Sequence, residues 1–146
     1  MSENTNLKIA LDNASDLFNN NNLNECIEQL EEILNIHPSN LKALSLLLDI
    51  NIKLNRAETA LKIIKKLIQL EPDSKEHHEK LVKVHQFLND NSAYESALID
   101  FHKKFPSITT ARLISNIHIE NDREEESDQV IQSFFESDKK YGDLYK

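Results

Sequence analysis

Leu70-Glu71-Pro72-Asp73-Ser74 is the stretch that decides the fold. The chain has only two other prolines, Pro38 and Pro106, each 34 residues from Pro72. A proline lacks the N–H that a helix needs and biases the residue before it away from helix. Three helix breaks at one interval imply a repeated unit. A period of 34 residues suits a helix–turn–helix unit that buries its apolar face only by stacking on its neighbours.

Working outward from Pro72, the apolar residues fall at three- and four-residue spacings, as amphipathic helices require. With the prolines at repeat position 32, units begin at Leu7, Leu41 and Lys75. The second carries Leu44, Leu47, Leu48, Ala60, Ile64 and Leu67. The first carries Ala10, Ala14, Leu17, Cys26, Leu30 and Ile33, and the third Leu81, Val82, Tyr94, Leu98 and Phe101. A fourth unit fits when begun one residue early, at Ile108. It then carries Ala111, Ile114, Ser115, Ser127, Ile131 and Phe134, without a proline. The pattern predicts eight helices: 5–19, 23–35, 40–54, 57–69, 74–89, 92–104, 108–120 and 124–137. Cap residues with an acid three positions later mark helix starts at Asn22, Asn55, Asp73, Ser92 and Asp122.

Over residues 7–140 this pattern resembles the tetratricopeptide repeat (TPR) family. The resemblance implies an all-α solenoid of about eight antiparallel-paired helices. The expected organisation is an N-terminal tail (1–6), units of about 7–40, 41–74, 75–107 and 108–140, and a C-terminal tail (141–146). Several residues depart from the family pattern. Asn13 stands at an aliphatic position, and Asn51, His85 and His118 stand at the aromatic one. Tyr94 occupies the alanine position where the two helices of a unit approach closely, so the third unit is expected to splay or shift its second helix.

The resemblance also implies a non-catalytic protein-interaction domain. It would bind a peptide or protein partner in the concave groove lined by the first helix of each pair, or at its C-terminal end. The groove positions that carry over are Lys42, Ser45, Asp49, Lys53, Lys83, Gln86, Arg112 and Asn116. TPR domains that clamp the C-terminal carboxylate of heat-shock proteins need basic and amide residues where this chain has Leu11, Ser15, Leu46, Glu76 and Lys80. Only Lys80 has the right charge, so that clamp is not expected. Two alternative readings remain: a targeting or regulatory appendage preceding a larger enzyme, and a small acidic secretion-type chaperone. Self-association through the C-terminal repeat is a further expectation, because Tyr141, Leu144 and Tyr145 follow Phe134 and Phe135 closely.

Composition narrows the remaining chemistry. The net charge of −8 is evenly spread, so neither half offers the basic field of a nucleic-acid binder. The one glycine, Gly142, leaves no phosphate-cradling loop. No apolar run approaches the ~20 residues that span a bilayer, and the first residues lack a secretory leader's basic and apolar regions. With the lone Cys26, which forms no internal disulfide, this points to the cytoplasm.

His37, His77, His78, His85, His102 and His118 lack the i, i+4 pairing of helical metal sites. No metal or other cofactor is expected. Cys26 sits at a small buried position and reads as a core residue. The acidic run Asp122, Glu124, Glu125, Glu126 and Asp128 complements a helix N-terminus. Lys62, Lys65 and Lys66 form a solvated face. No nucleophile, acid or base converges with another, so no enzyme activity is expected.

Overall fold

The structure is a computed structural model that describes the backbone of residues 3–142 and the side chains of residues 3–133. Among these residues it contains eight α-helices and no strand. They are α1 (Glu3–Asn19), α2 (Leu23–Ile36), α3 (Leu41–Lys53), α4 (Ala57–Leu70), α5 (Lys75–Phe87), α6 (Asn91–Lys104), α7 (Ile108–Glu120) and α8 (Glu124–Gly142). The fold is the expected all-α solenoid class. Helix α1 already begins within the stretch expected to be a tail. The tail expected at 141–146 lies mostly outside the described residues, as do the side chains of Phe134, Phe135, Tyr141, Leu144 and Tyr145.

Two kinds of turn alternate. Within each hairpin, one residue adopts positive φ: Asn21 (61°), Asn55 (57°), Asn89 (55°) and Asp122 (57°). This left-handed conformation lets the following amide bond back into the helix it has just left. Asn22 N–H donates to Leu17 O (2.9 Å), Arg56 to Asn51 O (2.8 Å) and Arg123 to His118 O (2.7 Å). A β-carbon makes left-handed backbone costly, and Asn and Asp tolerate it best after glycine. The chain fills with Asn and Asp the place where most helices use glycine.

Asn55 and Asp122 are therefore not the helix N-caps their spacing suggested. They terminate the preceding helix, and the N-cap of α4 is Arg56, with no side-chain cap bond. Asp73 and Ser92 are also displaced from cap positions. Ser74 caps α5, and Asp90 caps α6 with its carboxylate accepting from Ala93 N–H at 3.1 Å.

Between hairpins the turn is built on proline. His37, Glu71 and Phe105 precede the prolines with φ of −125°, −133° and −131°. Their amides still close the helix, bonding Ile33, Leu67 and Phe101 carbonyls at 2.7, 2.8 and 2.7 Å. The next helix starts on a side-chain cap. Asn40 accepts from Ala43 N–H at 2.9 Å, Ser74 from His77 N–H at 3.5 Å and Ser107 from Thr110 N–H at 3.1 Å. One residue separates Pro38 from Asn40 and Pro72 from Ser74, whereas Ser107 directly follows Pro106. That missing residue is the one-residue slip seen in the sequence.

The chain divides into two compact units, one ending at Leu88 and the other starting at Asn89. In the first unit α1 packs on α2 and α3, α2 on α3, α3 on α4, and α4 on α5. Two apolar clusters fill it. One is built around Leu11, Ala14, Cys26, Leu30, Ala43 and Ile50, the other around Leu44, Leu48, Ala60, Ile64, Leu67 and Val84. In the second unit α7 packs on both α6 and α8. Its described core mixes Leu98, Phe101, Ala111 and Ile114 with Thr110, Ser115, His118 and Ser127.

The helices of a hairpin meet at small residues. Cys26 Sγ donates to Ala14 O at 3.1 Å, and the Ser115 and Ser127 hydroxyls hydrogen-bond each other. The boundary between the units falls in the hairpin that carries Val82 and Tyr94 at these two positions.

The left-handed turns give a direct test. Replacing Asn55 by glycine is expected to leave stability unchanged or raise it by up to ~1 kcal/mol. A β-branched valine there should lower it by ~1–2 kcal/mol. Urea unfolding followed by helical circular dichroism measures both.

Candidate functional site

Helix α3 presents Lys42, Ser45, Asp49, Ile52 and Lys53 along one side, while Ala43, Leu44, Leu48, Ile50 and Asn51 are buried on the other. Asn51 sits where an aromatic was expected, and its Nδ2 donates to Leu47 O at 2.7 Å. A local bond to its own helix thus satisfies the buried amide. Three of the exposed groups are tied to neighbouring helices. Lys42 Nζ lies 3.9 Å from Asp12, with both side chains more than half exposed, so this pair contributes less than ~1 kcal/mol. Lys53 donates to Asn21 Oδ1 at 3.0 Å and stands over the Phe18 ring at 5.8 Å.

Asp49 accepts from Lys80 of α5 at 2.9 Å, and Lys80 also pairs with Glu76 at 3.1 Å. Burial disfavours the charged ammonium of Lys80. The hydrogen bonds and charges of Asp49 and Glu76 outweigh that penalty and raise its pKa above the ordinary lysine value. Lys80 is the one cation at a clamp position, and two carboxylates already neutralise it. Its role is to join α3 to α5.

On α5, Lys83 and Gln86 are exposed and make no ion pair or hydrogen bond among the described residues. Phe87 beside them is 42% exposed. In the second unit, Arg112 and Asn116 lie one turn apart on α7, both exposed, next to the exposed Leu113 and Ile119. The eight sequence-derived positions thus sort into three groups. Lys42, Asp49 and Lys53 are engaged with neighbouring helices, Ser45 is half-buried, and Lys83, Gln86, Arg112 and Asn116 point to solvent.

A cluster that the spacing did not reveal occupies the second unit. The His118 ring is buried, with Nδ1 3.4 Å from Glu126 Oε2 and 3.7 Å from Glu95 Oε1. Arg123 Nη2 donates to both Glu95 oxygens at 2.9 and 3.0 Å, and its Nη1 reaches Glu126 at 3.3 Å. Glu126 was read as part of a solvated acidic cap and belongs instead to this network. Asp122 is the left-handed turn residue, and Glu124, Glu125 and Asp128 remain exposed. The Arg123–Glu126 spacing is legible as an i, i+3 pair, whereas Glu95, 28 residues away, gives no local signal. The network joins α6, α7 and α8 electrostatically.

His77 is also buried, with Nε2 2.9 Å from Glu71 Oε1. Among the described residues no group of three or more His, Cys, Asp and Glu could hold a metal ion. Cys26 is fully buried, and that burial raises its thiol pKa. No helix among the described residues is long and apolar enough to cross a membrane.

No protein-family model matches the chain, and no curated protein matches it. Solved structures do. MamA from Desulfovibrio magneticus RS-1 is similar with a TM-score of 0.68 at 11% identity, covering 92% of this chain and 76% of that one. A crystal form of MamA AMB-1 is similar with a TM-score of 0.71 at 17% identity, covering 91% and 73%. A further MamA crystal structure gives 0.70 at 15%, covering 97% and 83%. MamA is a TPR-like all-helical protein, and the likeness is one of fold.

Two predictions follow from the ion pairs. Lys80→Met should cost ~1–2 kcal/mol at neutral pH. The contribution of Lys80 is fully present below the ordinary lysine value of 10.5 and is lost as pH rises through the higher folded value. The wild type should therefore lose a component of stability in strong alkali that Lys80→Met lacks, as read by urea melts across that range. Glu95→Gln should destabilise the second unit by ~1–3 kcal/mol, because Arg123 and His118 lose their shared carboxylate. All three tyrosines lie beyond Leu88, so tyrosine fluorescence reports that unit alone, while circular dichroism reports both.

Proposed function

We propose that this chain is a TPR-type protein-interaction domain without catalytic activity, working in the cytoplasm as a scaffold for a peptide or protein partner. Its four units would span about 7–40, 41–74, 75–107 and 108–140. The proposed contact faces, each taken by itself, are those of α3 and α5 in the first compact unit and that of α7 in the second. The observation that carries this reading is the exposure of Lys83, Gln86, Arg112 and Asn116, none of which the fold uses. Lys42, Asp49, Asn51, Lys53, Lys75, Glu76, His77, Glu79, Lys80, Thr110, Ser115 and His118 of these helices are spent on ion pairs or hydrogen bonds instead. Solvent-facing side chains left over on a rigid helical framework are the groups a partner can engage at small conformational cost.

In the first unit the exposed groups suit a segment that carries a carboxylate for Lys83 and an apolar side chain against Phe87; in the second they suit one that offers the same to Arg112 and Ile119. A protein that binds in this way needs no cofactor. Its affinity should fall as salt screens the exposed charges.

The test is recovery of binding partners by the wild type and by Lys83→Glu with Arg112→Glu, after circular dichroism has shown equal helicity and melting. The charge-reversed protein should lose most of the partner recovered by the wild type. Equal recovery at low and high salt would remove the reading.

A further inference from the structure

The face of α3 that meets the preceding hairpin consists of Ala43, Leu46, Leu47 and Ile50. Ala43 and Ile50 are fully buried, and the two leucines pack against the same apolar cluster. Helix α2 supplies part of the cover. One repeat earlier, the same positions of α1 hold Ile9, Asp12, Asn13 and Asp16, and all four are exposed. On the second helix, Gln29 replaces the buried Ile63. Four of these five positions are thus polar, and two of them, Asp12 and Asp16, are acidic.

Other residues of this face remain apolar. Leu7, Ala10, Ile33 and Ile36 line an open cleft of about 350 Å³ between α1 and α2, with Glu3 and Glu32 at its rim. Ile36 is 74% exposed and Ile9 49%. No lysine or arginine lines the cleft.

We propose that this face docks a basic amphipathic helix from a partner protein. One apolar side chain would enter the cleft, with lysines or arginines set against Glu3, Glu32 and Asp16. The helical form follows from the repeat, since the equivalent face of α3 receives a helix, α2. The basic character follows from charge complementarity, which suppresses wrong partners and speeds encounter. This chain's own helices fit poorly. Helix α2 carries Glu25, Glu28, Glu31 and Glu32, and α8 opens with three glutamates. Helix α4 has Lys62, Lys65 and Lys66, but its apolar stripe at Ile64 and Leu67 is buried in its own unit. Asp12, at the edge of this surface, already pairs with Lys42 of α3, so the contacts proposed here are the cleft with Glu3, Glu32 and Asp16, and they do not depend on the α3 and α5 faces proposed above.

The probes are two labelled helix-forming peptides with the same leucine stripe, one flanked by lysines and the other by glutamates. Fluorescence anisotropy reads their affinity, and amide chemical-shift mapping locates the contact. The lysine peptide should bind roughly tenfold or more tightly than its counterpart, with shifts confined to α1 and α2. Ile36→Glu, at an exposed site, should weaken it at least roughly tenfold. Glu3→Lys with Glu32→Lys should transfer the preference to the glutamate peptide. Equal affinity for both peptides would overturn the proposal, as would shifts on α3 and α5. Light scattering showing a dimer that Ile36→Glu dissolves would overturn it too, by making a second copy the occupant.

Discussion

Each hairpin of this chain reverses at one residue held at positive φ, and the rest of the architecture depends on that reversal. The left-handed residue lets the chain leave one helix, pair the orphan carbonyls of its last turn, and enter the next helix two residues later. Glycine would adopt this conformation without a steric penalty. Asn21, Asn55, Asn89 and Asp122 adopt it through short polar side chains instead, which also narrow the backbone freedom of the unfolded chain. The interval between the left-handed residues is 34, 34 and 33, so the turns keep the same count as the prolines and share the shortened step before Ser107. Geometry is therefore set twice per repeat, once by a left-handed residue and once by a proline.

With the reversals fixed, the separation of the paired helices is decided by the side chains that face each other across the hairpin. Ala14 and Cys26 allow the closest approach, and the thiol finds a backbone acceptor there. Ser115 and Ser127 achieve a similar approach at the cost of burying two hydroxyls, which they offset by bonding each other. Leu48 against Ala60 keeps one small partner. The third repeat has Val82 and Tyr94 at the equivalent sequence positions, and the division of the chain falls between its two helices. The second unit also relies more on polar groups. Thr110, Ser115, His118 and Ser127 share its described core, and Glu95, Glu126 and Arg123 surround the imidazole. An unpaired member of such a network is costly, so its parts stand or fall together.

Most of the fold was legible in the sequence because it rests on periodic features. Proline spacing and helical periodicity placed every helix, with most ends within two residues. The α1 start at Glu3 and the longer α8 were harder, because residues 3–6 and 136–140 are polar and carry no apolar periodicity. Asn22 does stand at the N-cap of α2, but the assignments at Asn55 and Asp122 failed for a physical reason. Asn and Asp serve equally well at an N-cap and in a left-handed C-terminal turn, so Asn55 and Asp122 fit either role until the hydrogen bonds are known. The face of α3 was legible as a set of residues, but not its division into engaged and unengaged groups. Lys42, Asp49 and Lys53 find partners 30 to 32 residues away in sequence, and no local pattern reports such pairs. Glu95 was missed for the same reason.

An internal repeat buries one face on its predecessor and offers the other to its successor, so the same positions alternate between cover and covered. At α1 the covered face has no predecessor against it in the structure, and its composition has changed accordingly at Asp12, Asn13, Asp16 and Gln29. Solvation alone would favour the same change at Ile36, where a polar residue would cost the core little. Ile33 is nearly buried and has a packing reason to stay apolar. Ile36 is three-quarters exposed and has none within the fold. An exposed isoleucine beside an apolar cleft that Glu3 and Glu32 rim and no lysine or arginine lines is the feature for which the proposed basic helix accounts.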